Sequence, residues 1–294
     1  MNWTNIAINL GILLYILTIL AIIYTIILEN RNPVRTLAWM LVLILVPGIG
    51  LFFYIYFGMN YRKIKMFSMK GLGDFKWLQY MSEDQKQRIK KTELLKKEDM
   101  EAVKPLMTLL LNNSKALLSR NNTVEILNNG EATFSSIFKA IAKAKKYIHL
   151  EYYIIDKGEL GEQLKELLIE KAKEGVEVRV IYDDVGSWKL PKRYIKEMQA
   201  AGIQIYPFLP VRFPLFTNKV NYRNHRKIVV VDGDTGFIGG LNFADRYLHG
   251  LPGIGIWRDT HLKVKGEAVT SLQVVFLFDW YFVRQELLLN KAEY

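Results

Sequence analysis

Two long stretches of this chain carry no charge, and that limits what it can fold into more than any other feature. Residues 1–28 hold no charged side chain, and neither do residues 36–61. In the first stretch the run from Ile6 to Leu28 has 23 residues. At ~1.5 Å per residue it makes a helix about 34 Å long, enough to cross a hydrocarbon core. A cleaved export signal is the alternative. The sequence argues against it, because no basic segment precedes the run, the run is too long, and no small-x-small site follows. The second run, Thr36 to Gly58, is expected to cross as well, kinked at Pro47 and Gly48. Trp39, Tyr54 and Tyr56 suit a membrane–water boundary. The link between the runs is short, so an antiparallel hairpin is expected. Arg31 and Arg35 lie in the link, while Arg62, Lys63, Lys65 and Lys70 follow the second run. That imbalance favours placing the C-terminal side of a multi-pass membrane protein in the cytoplasm. With such runs present, the net charge of +11 points to anionic lipid rather than nucleic acid. The chain has no cysteine, which excludes disulfides and thiolate metal sites.

Beyond residue 61 the composition changes. Residues 62–122 are expected to form a charged helical linker, with 82–104 the densest part, where Ser82 and Gln85 are spaced like a capping box. Pro105 is expected to end one element or begin the next. Residues 123–294 alternate strand and helix patterns. SSIFKAIAKAKKY is helical, YIHLEYYIID a strand, ELGEQLKELLIEKAKEG a helix ending at Gly175, VEVRVIY a strand, PKRYIKEMQAAG a helix and IQIYPF a strand. This order predicts an α/β domain whose sheet is flanked by helices.

The run IVVVDGDTGFIGG reads as a β-hairpin turned at Asp-Gly. Alternation along its first strand puts His225 and Lys227 on one face, at the mouth of an apolar strand. Gly239 and Gly240 close the partner strand, where bare backbone can approach a ligand, and Asn242 follows. These groups suit a phosphodiester. An ammonium neutralises phosphate oxygens, an amide donates to them, and a neutral imidazole attacks phosphorus. No metal or other cofactor is needed for that chemistry. Two further places carry carboxylates. Asp183 and Asp184 follow a strand's carboxyl end, where they either orient reacting groups or simply build a turn. Glu151 sits in an apolar strand and therefore needs a partner, with Arg223, Arg226 or a group of the site as candidates.

The spacing H-x-K, four residues, Asp232, six residues, Gly239-Gly240-x-Asn242 resembles the motif of the phospholipase D superfamily. ENRNPVRTLAW resembles the link of the bacterial cardiolipin synthase hairpin. IHLEYYIID, YDDVGS, NYRNHRKIVVVDG and WRDTHLKVKGEAV resemble successive blocks of that family's first catalytic half. The resemblance implies a mixed sheet flanked by helices after two transmembrane helices. It also implies transfer between two phosphatidylglycerol molecules, giving cardiolipin and glycerol. His225, Lys227 and Asp232 are then the catalytic motif residues, with Lys227, Gly240 and Asn242 at the phosphate and Asp232 ordering a turn rather than touching substrate. Glu151, Asp183 and Asp184 would stand behind them.

Cardiolipin synthases carry two such motifs, whereas this sequence has one. His261 and Lys263 repeat H-x-K, but Ala268 stands where an aspartate is required. His149 and His249 lack the following lysine and are expected to be structural. Three readings stay open: a fragment of a longer synthase, a chain that pairs with a second copy across a twofold axis, or an inactive lipid-binding half. A homodimeric phosphodiesterase or nuclease is the alternative activity. If a further half is absent, Trp257, Leu272, Val275, Phe276, Phe278 and Trp280 would meet it; otherwise they are core.

Overall fold

The computed structural model describes residues 3–28, 33–54, 76–90, 103–114, 116–211 and 222–288. They fall into two units. Among the described residues, 3–28 and 33–54 belong to one unit and those from 76 onward to the other.

The first unit holds α1 (Trp3–Leu28), α2 (Pro33–Leu45) and α3 (Pro47–Phe53). Among the described residues α1 supplies the one helix long and apolar enough to cross a membrane, over Trp3–Tyr24. The second apolar run is not one helix. It breaks at Val46, whose extended backbone (φ −134°, ψ 69°) precedes Pro47 at the start of α3. A proline ring fits a helix's first turn but clashes within it, so the expected kink becomes a boundary. The apolar part of α2, Thr36–Leu45, is too short to span on its own. Trp39 and Tyr54 stack edge to face at 5.5 Å, and Leu43 is buried with Ile22, Ile23 and Leu51. Tyr56 and the basic residues 62–70 lie outside the described residues.

The second unit begins with α4 (Lys76–Lys90) and α5 (Lys104–Ser114). Ser82 is not a cap, as its spacing suggested. It lies inside α4, buried, and its hydroxyl donates to the Leu111 carbonyl at 3.2 Å. Gln85 donates to the Leu118 carbonyl and accepts from the Leu118 N–H. Ser82 therefore pins α4 to α5, and Gln85 pins it to the segment that follows α5. Pro105 falls in the first turn of α5.

Among the described residues seven strands form one mixed sheet: β1 (Thr123–Asn128), β2 (Tyr147–Tyr152), β3 (Glu177–Asp183), β4 (Gln204–Phe208), β5 (Lys227–Val231), β6 (Thr235–Gly239) and β7 (Thr260–Lys265). Their order is β1-β7-β6-β5-β2-β3-β4. β2, β3 and β4 are parallel, while β5 runs antiparallel to β2 and pairs onward with β6. The helices α6 (Asn129–Ala142), α7 (Glu159–Lys173) and α8 (Lys192–Ala200) match the sequence pattern. They cover one face, where Leu150, Tyr152, Val180, Val229 and Phe237 join a core with Ile137, Leu164 and Met198. A short α9 (Arg246–His249) follows β6. The other face is closed by α10 (Ala268–Arg284), which packs Val269 on Ile228 and Val230. Phe276 and Trp280 of α10 are fully buried, so they are core rather than a waiting interface.

Candidate active site

Because β5 opposes β2, the carboxyl end of β2 and the entry to β5 meet: Tyr152 pairs with Lys227. His225 precedes the strand at this end and is exposed. Its ring stacks on Tyr153 with centroids 3.7 Å apart. Lys227 is buried, donates to the His225 carbonyl at 2.7 Å and lies 5.4 Å from the centre of the same Tyr153 ring. Burial lowers its pKa, and Asp259 pulls it partly back. The geometry thus offers an accessible imidazole over an ammonium whose charge is poorly solvated.

The glycines at the end of β6 leave room for two neighbouring side chains. A Cβ on Gly239 would sit 2.4 Å from the His261 ring, and one on Gly240 would sit 2.3 Å from an Asp259 carboxylate oxygen. Continuing the Ile228–Ile238 pairing by one residue sets Lys227 opposite Gly239, which pairs in turn with His261. His261 fills the space the glycine leaves. It is fully buried with neither ring nitrogen hydrogen-bonded, and burial pushes its pKa down to about 4 against the pull of Asp259. Tyr153, Asp259 and His261 were not singled out from the sequence for this site. The only sequence sign was their proximity in number to strand ends.

Asn242 is buried with its amide engaged. Its Oδ1 accepts from the Ile154 N–H at 3.1 Å, and its Nδ2 donates to the Tyr247 hydroxyl at 2.8 Å. That ties the loop after β6 to the loop after β2, and Nδ2 carries a second hydrogen for a ligand. Asp183 is fully buried and shapes the entry to β5. One oxygen accepts from the Val185 and Gly186 N–H groups and from Arg223 at 3.3 Å; the other accepts from the Asn224 N–H at 2.9 Å. It builds a turn and also positions the segment bearing His225. Asp184 accepts from the Val211 N–H at 2.7 Å, a loop role.

Three motif-linked residues do not reach the site. Asp232 lies at the far end of β5, seven residues from His225, or about 23 Å of extended strand. Its carboxylate accepts from the Lys145, Lys146 and Tyr147 N–H groups, and with Gly233 it turns the hairpin at positive φ. It orders that turn, as the resemblance implied, and is not part of a catalytic cluster. Glu151 points to the α10 face, opposite His225. Its carboxylate accepts from the Asn224 amide and shares a hydrogen bond with Asp279, while the Arg226 guanidinium pairs with Asp279 and counters the Glu151 charge through space. Burial first, then Asp279, raises the Glu151 pKa well above the usual carboxylate range. His149 is likewise buried on that face, stacked on Phe276 at 4.4 Å. Among the described residues no cluster of His, Asp and Glu could hold a metal.

A solvent-facing histidine and a buried lysine stand together at one end of a mixed sheet, and comparison with known proteins puts the chain in the phospholipase D superfamily. Residues 137–269 match the family model described as cardiolipin synthase, PLD-like domain, and residues 16–58 match one described as phospholipase D-nuclease N-terminal. Within the superfamily its relatives are bacterial cardiolipin synthases. One from a Geobacillus species is 46% identical over 273 residues, covering 93% of this chain and 53% of the relative. Another from Alkalihalophilus pseudofirmus is 45% identical over 279 residues, 95% of this chain and 54% of its own length. Cardiolipin synthase 2 of Bacillus cereus is 46% identical over 265 residues, 89% of this chain and 50% of its own. The chain thus spans about half the length of the curated relatives it matches.

Proposed function

We propose that this chain supplies a nucleophile-bearing half of a membrane-bound phosphatidyltransferase of the cardiolipin synthase type, with two phosphatidylglycerol molecules as substrates. The observation that carries this reading is the exposed His225 ring, stacked on Tyr153 beside the Lys227 ammonium. His225 attacks the phosphorus of one phosphatidylglycerol; a P–N bond forms, the P–O bond to glycerol breaks, and glycerol leaves with one proton. A hydroxyl of the second phosphatidylglycerol then bonds phosphorus as it gives up its proton, and the P–N bond breaks. Lys227, with the second hydrogen of Asn242, counters the phosphate charge. A second histidine of the same motif, from another half or another copy of the chain, moves the proton. The apolar helices hold the unit in the inner membrane as a hairpin, with the catalytic half on the cytoplasmic side.

The test is a reconstituted full-length chain incubated with phosphatidylglycerol and quenched in acid. A phosphatidyl adduct on His225 by mass spectrometry, with cardiolipin and glycerol released, is expected. Changing His225→Ala removes the adduct and any turnover. Phosphatidic acid as the sole product favours a hydrolase, and an adduct on any other residue ends the proposal.

A further inference from the structure

The loops around His225 carry an apolar rim that the chemistry above does not use. Ile254 and Ile256 are 70% and 74% exposed, and Trp188 is 55% exposed. The first two ride on a turn between β6 and β7, and Trp188 on the loop after β3. Both loops leave the sheet at the end that holds His225. Large side chains so exposed, grouped at one end, mark a surface for an apolar partner.

Each projection is rooted in the site. Trp257 packs edge to face on Tyr247 at 5.4 Å, and Tyr247 receives the Asn242 amide. Ser187, next to Trp188, donates to the Tyr153 carbonyl and accepts from the Ile155 N–H. The tip also satisfies much of its own backbone. The Leu251 N–H donates to the Gly255 carbonyl at 3.0 Å, and the Ile254 and Gly255 N–H groups donate to the Leu251 carbonyl. Gly250 is required there, since a Cβ would sit 2.1 Å from the Gly255 carbonyl oxygen. A tip whose amides are paired enters a medium poor in water at low cost.

Charge selects the partner. Acids of this rim are engaged: Asp156 with Arg246, Glu159 with His249, and Asp245 with the Glu159 and Leu160 N–H groups. Lys157, Lys189 and Lys192 are exposed on the same side and have no ion pair among the described residues. Isolated aliphatics and tryptophan, flanked by uncompensated lysines, fit the headgroup zone of an anionic bilayer. We infer that Trp188, Ile254 and Ile256 dip into the surface of an anionic membrane and set His225 at headgroup depth. The inference adds a second membrane contact to the proposed function but is tested without turnover.

The chain has no cysteine, so single-cysteine variants take one label each. Ile254→Cys and Trp188→Cys carry an environment-sensitive fluorophore. Asp234→Cys, in the β5–β6 turn at the opposite end of the sheet and 73% exposed, is the reference. In full-length chains reconstituted into phosphatidylglycerol-containing vesicles, nitroxide lipids should quench the labels at 254 and 188 several-fold more than the one at 234. Replacing phosphatidylglycerol by neutral lipid should weaken that difference. Equal quenching at all three sites overturns the inference. So does a label at 254 shielded from both aqueous iodide and nitroxide lipid, which would mean that protein, such as a second copy, covers the rim. His225→Ala should leave the quenching pattern intact, so a failed catalytic reading and a failed rim are told apart.

Discussion

Between Lys227 and His261 the strand β6 offers no side chain, only Gly239, and the His261 ring takes that gap. Both pay for burial in the same direction. An ordinary unfolded histidine titrates near 6.5, while His261 in the folded chain is pushed down to about 4. Between those values the unfolded chain binds the extra proton. Stability from this group is therefore complete above about pH 6.5 and is lost as pH falls toward 4, a swing of about 3 kcal/mol. His261→Asn should flatten the fall in melting temperature between pH 7 and 4, measured in detergent; an unchanged slope would show that His261 is not what the acid titrates. Lys227 gives an opposite signature in activity. On the proposed function its lowered pKa means that charge facing the phosphate is lost at a lower pH than for an exposed lysine, so the alkaline limb of turnover should move up when Lys227→Arg restores permanent charge. His225 and Lys227 were legible because their spacing is local. Tyr153, Asp259 and His261 were not, because only strand order brings residues that far apart in sequence together.

At the scale of elements, Asp232 shows how a motif residue can work far from the chemistry. Its carboxylate takes three backbone N–H groups at the start of β2, while its own φ of 52° closes the hairpin. Asp232→Ala should cost about 3 kcal/mol of stability, from lost charge-assisted bonds and a strained turn. Turnover per folded molecule, measured well below the melting temperature, should stay within a few-fold of the parent. A loss of turnover with unchanged melting would instead return Asp232 to the reaction. The alternation of strands and helices from residue 123 onward was readable, because each element has its own period and stop signal. The pairing of β1 with β7 was not, since it depends on partners about 140 residues away, and neither was the seating of α10 on β5 and β2. Ser82 and Gln85 misled for the same reason: a local cap spacing was spent on contacts with residues 111 and 118.

For the molecule as a whole, the uncharged runs set where it can reside. A chain held to lipid only by its basic surface would come off in high salt, because screening shortens the reach of charge. A chain with α1 through the bilayer would not. The full-length protein should stay with the membrane fraction through both concentrated salt and alkaline carbonate, read by sedimentation; release by salt alone would refute a span. The first run was legible as a helix because length and hydropathy alone define it. The second was less so, since Pro47 turns one run into two helices.

The single clasp from Asp183 to the Asn224 N–H has a wider consequence. It fastens the chain immediately upstream of His225 to the end of β3, while β5 grips it immediately downstream. A change of length or composition before Tyr222 would be absorbed there rather than passed to His225.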